Sequence, residues 1–330
     1  MFVGIYLQGI SRTPMRRLVR KPIPRRTPLP PSGPTKVHSN SWLTTPLDVS
    51  STPQMALLLL NTPPRPATAL RQLWTLSAFR VCADAAANRL RDSIQLAMGD
   101  ESVVSGTPAQ LRQRLLELRR VAKQHESMVP DAVIGDFDSI RPDVLDFYRE
   151  HGTAITYDPS QSTTDFQKAL KLIEDAQAAS IRSPSSLQGA PPKRWTVVAF
   201  GAFGDRFDHE LASINTLYRF CRPFDRLILM GERMTAELLL PGRHVIRPNS
   251  QLEGPTCGLL PIGGRCDAVW TSGLRWNLRG SPLQFGGVVS SSNDMVPHAV
   301  DGRLEVRVTT THPLVWTTVL RPDGWPRSSG

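Results

Sequence analysis

The feature that most constrains the fold of this chain is an alternation, between residues 55 and 230, of short apolar runs and segments with helical periodicity. The apolar runs are MALLLLN, FRVCA, AVI, TAITY, WTVVAF and RLILM. They are largely apolar throughout instead of alternating between apolar and polar residues, which is typical of strands buried on both faces. Such strands, separated by helices, predict a parallel sheet with helices on both sides. The expected fold class of this region is therefore α/β.

The segments between these runs carry helix signals. Leu70, Leu73 and Trp74 fall on one helical face, and RPDVLDFYREHG has proline in its first turn and glycine at its end. Thr164 and Gln167 have the spacing of a capping box at the start of another helix. A basic amphipathic helix is predicted over PAQLRQRLLELRRVAKQ, and a further helix follows WTVVAF.

After residue 235 the helix signal disappears, and short apolar segments separated by glycine and proline take its place. In one of them Leu304, Val306 and Val308 alternate with polar residues, as expected for a half-buried antiparallel strand. This region predicts an all-β domain, either a sandwich or a small barrel. The predicted organisation is a basic, proline-rich disordered extension over residues 1–50, an α/β domain over 51–234 with an inserted loop at 180–193, a β-sandwich over 235–322 and a tail over 323–330.

The positive charge of the chain is concentrated at its N-terminus. Of the net charge of +10, +8 lies within residues 1–47, so the other 283 residues carry only +2 and are not expected to bind nucleic acid. Residues 1–47 are rich in proline and contain no Asp or Glu, which favours disorder, and we expect their removal to leave folding intact. A nucleic-acid-binding protein is an alternative that would rest on this segment alone.

The other bulk features indicate a globular protein of the cytoplasm. The four cysteines form no C-x-x-C pair and have no histidine at zinc-site spacing, which favours reduced thiols. No apolar run approaches the roughly 18 residues that cross a membrane. Mitochondrial import is the alternative location, because the start of the chain is rich in arginine, although its prolines disrupt the amphipathic helix of a transit peptide.

Acidic side chains follow several of the predicted strands. Asp84, the pair Asp136 and Asp138, and Asp208 each come after a strand, and Asp165 opens a helix. A single pair of this kind is open to the simpler interpretation of a turn, since Asp is a common turn residue. Ligands of an open parallel sheet, however, bind beyond the carboxyl ends of its strands, where these carboxylates would converge. Clustered carboxylates repel one another unless a cation neutralises them, which points to Mg²⁺ and a phosphate-bearing substrate.

A glycine turn, GAFGDRF, offers main-chain N–H groups and the guanidinium of Arg206 to phosphate oxygens, although a G-x-x-G turn is most often only a turn. The sequence contains no G-x-x-x-x-G-K-[ST], G-x-S-x-G or H-E-x-x-H motif. A P-loop enzyme and the commonest hydrolases are therefore excluded.

Six segments together resemble the successive motifs of the thiamin pyrophosphokinase family: CADAAANRL, IGDFDSIRP, DPSQSTTDFQKAL, GAFGDRFDHELASINTL, TSGLRWNL and GGVVSSSN. They occur in the order of that family across roughly residues 55–320. The resemblance implies a nucleotide-binding α/β domain followed by a thiamin-binding β-sandwich, and a homodimer with the active site at the subunit interface. It also implies transfer of a pyrophosphoryl group from ATP to thiamin with Mg²⁺.

The same resemblance implies roles for individual residues. The expected metal and phosphate site is Asp84, Asp136, Asp138 and Asp165, the last three being the expected catalytic residues. The expected nucleotide contacts are Asp84, Asn88, Arg206 and Asp208. The expected substrate contacts are Gln161, Trp276, Ser290, Ser292 and Asn293. A core aromatic remains the alternative for Trp276, and a helix cap or turn the alternative for Asn88 and Ser292; the general base is not assigned.

Four positions depart from the family pattern. Ala85, Ala86, Ala202 and Asp205 stand where the family usually has glycine. Alanine disfavours positive φ, and Asp205 adds a negative charge to a turn that should approach phosphate. These departures leave open a second hypothesis, a catalytically impaired thiamin- or nucleotide-binding protein of the same fold.

Overall fold

The computed structural model of the protein describes residues 29–43, 54–99, 128–182, 193–299, 301–321 and 323–325. The basic helix predicted over residues 108–124, much of the N-terminal extension and most of the inserted loop lie outside these ranges. Among the described residues, no helix is long and apolar enough to cross a membrane.

The first half of the chain forms the predicted α/β unit. Its elements are β1 (Thr35–Ser39), a short 3₁₀ helix (Ser41–Leu43), β2 (Met55–Leu59), α1 (Ala67–Leu76), β3 (Phe79–Ala83), α2 (Ala86–Gly99), β4 (Ala132–Gly135), α3 (Pro142–Glu150), β5 (Ala154–Tyr157), α4 (Asp165–Arg182), β6 (Thr196–Phe200), α5 (Phe207–Arg219) and β7 (Arg226–Met230). Strands β7, β6, β2, β3, β4 and β5 lie side by side in that order and are parallel. The chain runs outward from β2 to β5 and then returns to β6 on the other side of β2, so the strand order reverses between β2 and β6.

Alternate residues of β2 pack against two different layers of helices, one on each face of the sheet. Leu57 and Leu59 belong to a core cluster that includes residues of α1, α2 and α3, whereas Ala56 and Leu58 belong to a second cluster with residues of α4 and α5. All five residues of the strand are buried, which accounts for an apolar run without alternation. The α/β prediction is confirmed.

The second half of the chain is a β-sandwich. Its elements are β8 (Met234–Leu239), β9 (Gly242–Arg247), β10 (Glu253–Leu260), β11 (Cys266–Ser272), β12 (Arg279–Leu283), β13 (Ser290–Asp294), β14 (Val306–Thr310) and β15 (Leu314–Leu320). One sheet has the order β1-β9-β14-β11-β12 and packs against β8, β15, β10 and β13. Leu259 and Trp316 contribute to the shared core from one side, and Val306 and Val308 contribute from the other. Arg307, between these two valines, is exposed, as the predicted alternation requires.

The two predicted domains share one continuous sheet. Strand β8 pairs antiparallel with β7, and β15, β10 and β13 follow, so that ten strands form a single hydrogen-bonded ladder. The domain boundary predicted at residues 234 and 235 therefore falls within this ladder. Residue patterns indicate that a strand exists but not which distant strand it pairs with, so the sequence could not reveal the shared sheet.

The prediction that residues 1–50 are disordered is wrong for residues 35–43, which we call the N-terminal strap. Strand β1 pairs in parallel with β9, and Leu43 is buried in the core of the α/β unit. The strap is short, lies next to a proline- and arginine-rich segment and pairs with a strand far along the chain. For this reason its composition predicted disorder. Its position is instead determined by contacts with residues far along the chain.

The N-terminal strap supplies partners to two buried carboxylates. Glu237 on β8 accepts hydrogen bonds from Arg226 Nε and Nη2 at 3.1 and 2.9 Å, and His38 Nδ1 lies 2.9 Å from its Oε2. Asn40 donates to Glu253 at 3.0 Å. Burial by itself would raise the pKa of Glu237, but the charge of Arg226 and the contact with His38 outweigh it and hold that pKa far below its usual range.

Candidate active site

Three of the predicted carboxylates converge beyond the carboxyl ends of the parallel strands. Asp84 follows β3, Asp136 follows β4, and Asp165 is the first residue of α4. One oxygen of each lies within 4.8 Å of the others. This spacing allows a single cation to contact all three residues, which we call the carboxylate group.

A close crossing of two main-chain segments brings Asp84 and Asp136 together. Asp84 has φ of +42°, in the left-handed region, and its N–H donates to the carbonyl of Ile134 at 2.8 Å. A Cβ at Gly135 would lie only 2.7 Å from Asp84 Cβ. Glycine is therefore required at the end of β4, because any side chain there would push the two carboxylates apart.

The convergence of the carboxylates disfavours the charged form of Asp84. Its Oδ1 is buried and has no hydrogen-bond partner among the described residues. Burial raises the pKa of Asp84 to about 6, and repulsion from Asp165, Asp138 and Asp136 adds to the rise, while the N–H of Ala85 opposes it. An unpartnered, buried carboxylate oxygen beside two other carboxylates fits a hard cation such as Mg²⁺, which would neutralise the repulsion.

Asp136 is oriented by Gln161, whose Nε2 donates to its Oδ2 at 2.9 Å. This hydrogen bond is the main reason that the pKa of Asp136 lies below its usual range; the N–H of Asp138 and the charge of Lys168 act in the same direction. Gln161, predicted as a substrate contact, thus has an observed bond to the carboxylate group. Its contact with a substrate stays a prediction.

Lys168 is a site residue that sequence analysis missed. Its ammonium lies 2.9 Å from Asp165 Oδ1 and 3.9 Å from Asp136 Oδ2, and its side chain is only 2% exposed. Burial by itself would lower the pKa of Lys168, but the hydrogen bond to Asp165 and the charges of nearby carboxylates raise it above its usual value. The spacing of three residues from Asp165 put both side chains on one helical face, but lysine in an amphipathic helix ordinarily indicates an exposed position.

The carboxylate group and Lys168 line a cleft of about 620 Å³, which we call the acid cleft. The cleft also includes Thr62 after β2 and Gly201 after β6, so it opens at the switch point of the sheet. Asp138 lines it as well but lies outside the carboxylate group, and its Oδ1 accepts a hydrogen bond from Ser139 at 2.7 Å. The role of Asp138 as a metal ligand stays a prediction.

Arg206 and Asp208, predicted as nucleotide contacts, do not line the acid cleft in the described part of the chain. Both are exposed, and Arg206 Nε and Nη2 donate to Asp208 at 3.1 and 2.5 Å. The cleft wall at this turn is formed instead by Asp205 and His209, whose Nδ1 lies 3.9 Å from Asp205 Oδ2. The nucleotide roles of Arg206 and Asp208 stay predictions.

Asn88 also lies outside the lining of the acid cleft. Its Nδ2 donates to the carbonyl of Ser139 at 2.9 Å, and its Oδ1 accepts from the N–H of Arg141 at 3.0 Å. These bonds tie α2 to the loop that carries Asp136 and Asp138. They agree with the simpler interpretation of Asn88 as a structural cap, and its contact with a nucleotide stays a prediction.

The predicted thiamin contacts of the sandwich do not line the acid cleft in the described part of the chain; they surround the exposed side chain of Trp276. Trp276 is 56% exposed and is therefore not a core aromatic; the guanidinium of Arg275 lies 4.9 Å from its ring centroid. The buried side chain of Asn293 accepts from the N–H of Trp276 at 3.2 Å and donates to its carbonyl at 2.9 Å and to Ser290 Oγ at 3.3 Å. Ser292 has φ of +53°. The run from Ser290 to Asn293 thus fixes the loop that displays Trp276.

Comparison with known proteins identifies the family. Residues 70–229 match the family model described as thiamin pyrophosphokinase, catalytic domain, and residues 243–315 match thiamin pyrophosphokinase, vitamin B1 binding domain. Thiamine pyrophosphokinase 2 of Arabidopsis thaliana is 35% identical over 292 residues, which cover 88% of this chain and 95% of the relative. The chain belongs to the thiamin pyrophosphokinase family. The sequence resemblance is confirmed.

Solved thiamin pyrophosphokinase structures have the same fold. The structure of yeast thiamin pyrophosphokinase matches with a TM-score of 0.66 at 24% identity, covering 92% of this chain and 98% of that one. Thiamin pyrophosphokinase from Candida albicans matches with a TM-score of 0.65 at 23% identity, covering 91% and 98%. The parallel-sheet unit followed by a β-rich unit is therefore the fold of this thiamin pyrophosphokinase family member.

The positions that depart from the thiamin pyrophosphokinase pattern cause no main-chain strain. Ala85, Ala86 and Ala202 are buried, and none has positive φ. Their methyl groups are therefore accommodated in ordinary conformations. Asp205 differs from them because its charge lies in the wall of the acid cleft.

Proposed function

We propose that this protein transfers the pyrophosphoryl group of ATP to the hydroxyl group of thiamin, giving thiamin diphosphate and AMP. The observation that carries the proposal is the carboxylate group at the switch point of a sheet in a member of the thiamin pyrophosphokinase family. Phosphoryl-type transfer depends mainly on positioning and charge neutralisation, which is what this group offers.

Asp84, Asp136 and Asp165 would hold Mg²⁺. When bound, this cation supplies neutralisation of negative charge on phosphate oxygens. Gln161 orients Asp136, and Lys168 places a positive charge beside the same carboxylates. The protein thus presents fixed charges where negative charge develops in the transition state.

The transfer forms a bond between the thiamin hydroxyl oxygen and the β-phosphorus and breaks the bond from that phosphorus to the oxygen shared with the α-phosphate. AMP leaves with that oxygen, and the hydroxyl proton passes to a carboxylate. Asp138 lines the acid cleft outside the carboxylate group, so it offers a carboxylate that is available as the proton acceptor.

The thiamin-binding surface is proposed to act in a homodimer. Trp276, Phe285 and Val288 are exposed on the sandwich, and Trp276 does not line the acid cleft of its own subunit. Pairing two copies would cover this apolar surface and could bring Trp276 of one subunit to the cleft of the other. The cytoplasmic location, with mitochondrial import as the alternative, also belongs to this proposal.

Replacing Trp276 with alanine is expected to raise KM for thiamin by about 10-fold while KM for ATP changes less than twofold, because an aromatic contact contributes roughly 1 kcal/mol or more to a ring-shaped ligand. Trp276→Phe should retain most of the affinity. Steady-state kinetics with each substrate varied, together with the molar mass from sedimentation equilibrium, provide the measurement. A rise in KM for ATP alone, or a protein that remains a monomer at assay concentration, would contradict the role assigned to this surface.

Purified protein mixed with ATP, Mg²⁺ and thiamin is expected to form AMP and thiamin diphosphate in equal amounts, and neither product when EDTA removes the metal. Chromatographic quantification of both products is the measurement. Formation of ADP with thiamin monophosphate would show attack at the γ-phosphorus instead. Binding of ATP and thiamin in calorimetry without any turnover would favour the alternative of a catalytically impaired binding protein.

A further inference from the structure

Two buried histidines, His38 of β1 and His244 of β9, join the N-terminal strap to the sandwich, and we call them the histidine pair. His38 Nε2 lies 3.0 Å from His244 Nδ1. At one end of the pair, His38 Nδ1 lies 2.9 Å from Glu237 Oε2. At the other end, His244 Nε2 lies 2.7 Å from the carbonyl oxygen of Leu240. The four ring nitrogens thus form three consecutive hydrogen-bond contacts between two oxygen atoms.

Neither oxygen at the ends of the histidine pair can donate a proton. The carbonyl of Leu240 only accepts. Glu237 is ionised, because the charge of Arg226 and the contact with His38 outweigh burial and hold its pKa far below the usual range. Each of the three contacts therefore needs a proton on a ring nitrogen, whereas two neutral imidazoles carry only two. With two protons, one contact would bring two buried lone pairs together, which is destabilising.

We infer that the histidine pair binds a third proton, carries one positive charge, and so attaches the N-terminal strap in a pH-dependent way. The proton comes from solvent and belongs to the pair, since the two rings share it across the 3.0 Å contact. Its release at alkaline pH leaves two lone pairs facing each other and weakens the link between β1 and β9. This inference is independent of the proposed function.

Other ionisable groups surround the histidine pair, and they come from every element packed against it: Lys36 of β1, Cys221 after α5, Asp225 and Arg226 at the start of β7, Glu237 of β8 and, beyond them, Glu253 of β10. Lys36 and Asp225 lie 3.6 Å apart, and Arg226 pairs with Glu237. Burial raises the pKa of Glu253 to about 7, although the N–H of Asn249 opposes the rise. A cavity of about 50 Å³ beside the histidine pair has room for a water molecule, so protons can exchange with solvent.

The third proton stabilises the folded protein fully at acidic pH and less as the pH rises. Histidine in an unfolded chain titrates near pH 6.5, so above that pH the folded protein holds one proton more than the unfolded chain. Stability is therefore lost as the pH rises above about 6.5. A fourth proton has the opposite effect, because burial lowers the pKa of His244 to about 4 although the Leu240 carbonyl opposes it. That effect is confined to pH values below about 6.5.

Denaturant unfolding of the full chain at pH 7 and pH 8 tests the inference, with His244→Asn as the variant. The asparagine amide can donate to His38 Nε2 without a third proton. Between the two pH values, the unfolding equilibrium constant of the unsubstituted protein should rise about 8-fold more than that of the variant. One proton gives tenfold per pH unit at most, and histidine in the unfolded chain is still partly protonated at pH 7.

His151→Asn is the matched control for this substitution. His151 is an exposed histidine at the end of α3, and its replacement should leave the full pH dependence in place. The same pH dependence in His244→Asn as in the unsubstituted protein would overturn the inference.

A second measurement needs no substitution and serves if His244→Asn fails to fold. Histidine rings labelled with nitrogen-15 are observed by NMR in the full chain at pH 8, where histidine in water is neutral. We expect one imidazolium ring and a coupling between two ring nitrogens across their shared N–H···N bond. Absence of the imidazolium ring and of the coupling would overturn the inference. Neither measurement involves turnover, so both are independent of the proposed transfer reaction.

Discussion

Replacing Asp136 with asparagine is expected to lower the rate of thiamin-dependent AMP formation by about 100-fold or more, which corresponds to roughly 2.7 kcal/mol of lost transition-state stabilisation. The neutral amide would weaken cation binding at the carboxylate group, because Asp136 supplies one of three oxygens within 4.8 Å of each other. In the absence of metal the free energy of unfolding should fall slightly, because the lowered pKa of Asp136 means that its hydrogen bond from Gln161 and the charge of Lys168 favour the charged form in the folded protein. Initial rates measured over a range of Mg²⁺ concentrations, together with thermal unfolding, test both parts.

Asp143→Asn is the matched control for this substitution. Asp143 lies in the first turn of the helix that follows the same loop, and its side chain is 78% exposed. It should keep near-normal activity and the same Mg²⁺ dependence. If Asp136→Asn behaves like this control, then the acidic residues after β4 serve only as turn residues.

Truncation of the N-terminus is expected to have its largest effect on stability when it includes the N-terminal strap. A protein starting at residue 29 should unfold at the temperature of the full chain. A protein starting at residue 44 should lose about 3 kcal/mol or more of its free energy of unfolding, because Glu237 and Glu253 each lose a buried hydrogen-bond partner and the core loses Leu43. Denaturant unfolding of both proteins is the measurement.

Two single substitutions give a sharper comparison within the N-terminal strap. Leu43→Ala should destabilise the protein by about 2–5 kcal/mol because Leu43 is fully buried, whereas Val37→Ala should cost far less because Val37 is 48% exposed. Equal effects at the two positions, or equal stability of the two truncated proteins, would show that the strap is dispensable. That result would restore the expectation from composition that this segment takes no part in folding.

The sequence predicted the parts of the site that depend on local position. Asp84 and Asp136 follow strands and Asp165 starts a helix, and in a parallel sheet these positions point to one edge, so their convergence was predictable. Lys168 was not, because its burial depends on the carboxylates around it and not on its own helix.

In the fold, too, the sequence predicted features that depend on neighbouring residues and missed features that depend on distant ones. The strands and helices of the α/β unit follow from hydrophobic periodicity, and the alternation around Val306 and Val308 identified an antiparallel strand. Two features required knowledge of distant partners: the pairing of β1 with β9 and the pairing of β7 with β8. The predicted capping box is only half formed. The N–H of Gln167 donates to the side chain of Thr164, as predicted. The side chain of Gln167 does not return to Thr164 but donates to Thr216 and accepts from Arg219.

The pairing of β7 with β8 also limits how the two halves of the protein can move and how they can be exchanged between relatives. Ile228 lies opposite Glu237 in this pair, so the border between the two halves is a row of main-chain hydrogen bonds instead of a linker. A hinge motion between the halves would break that row, and closure around substrates is therefore left to loops. For the same reason, a chimera that takes its sandwich from a relative should fold only when the junction preserves the register between β7 and β8. The continuous sheet, and not the separate sandwich, is therefore the part that must stay matched.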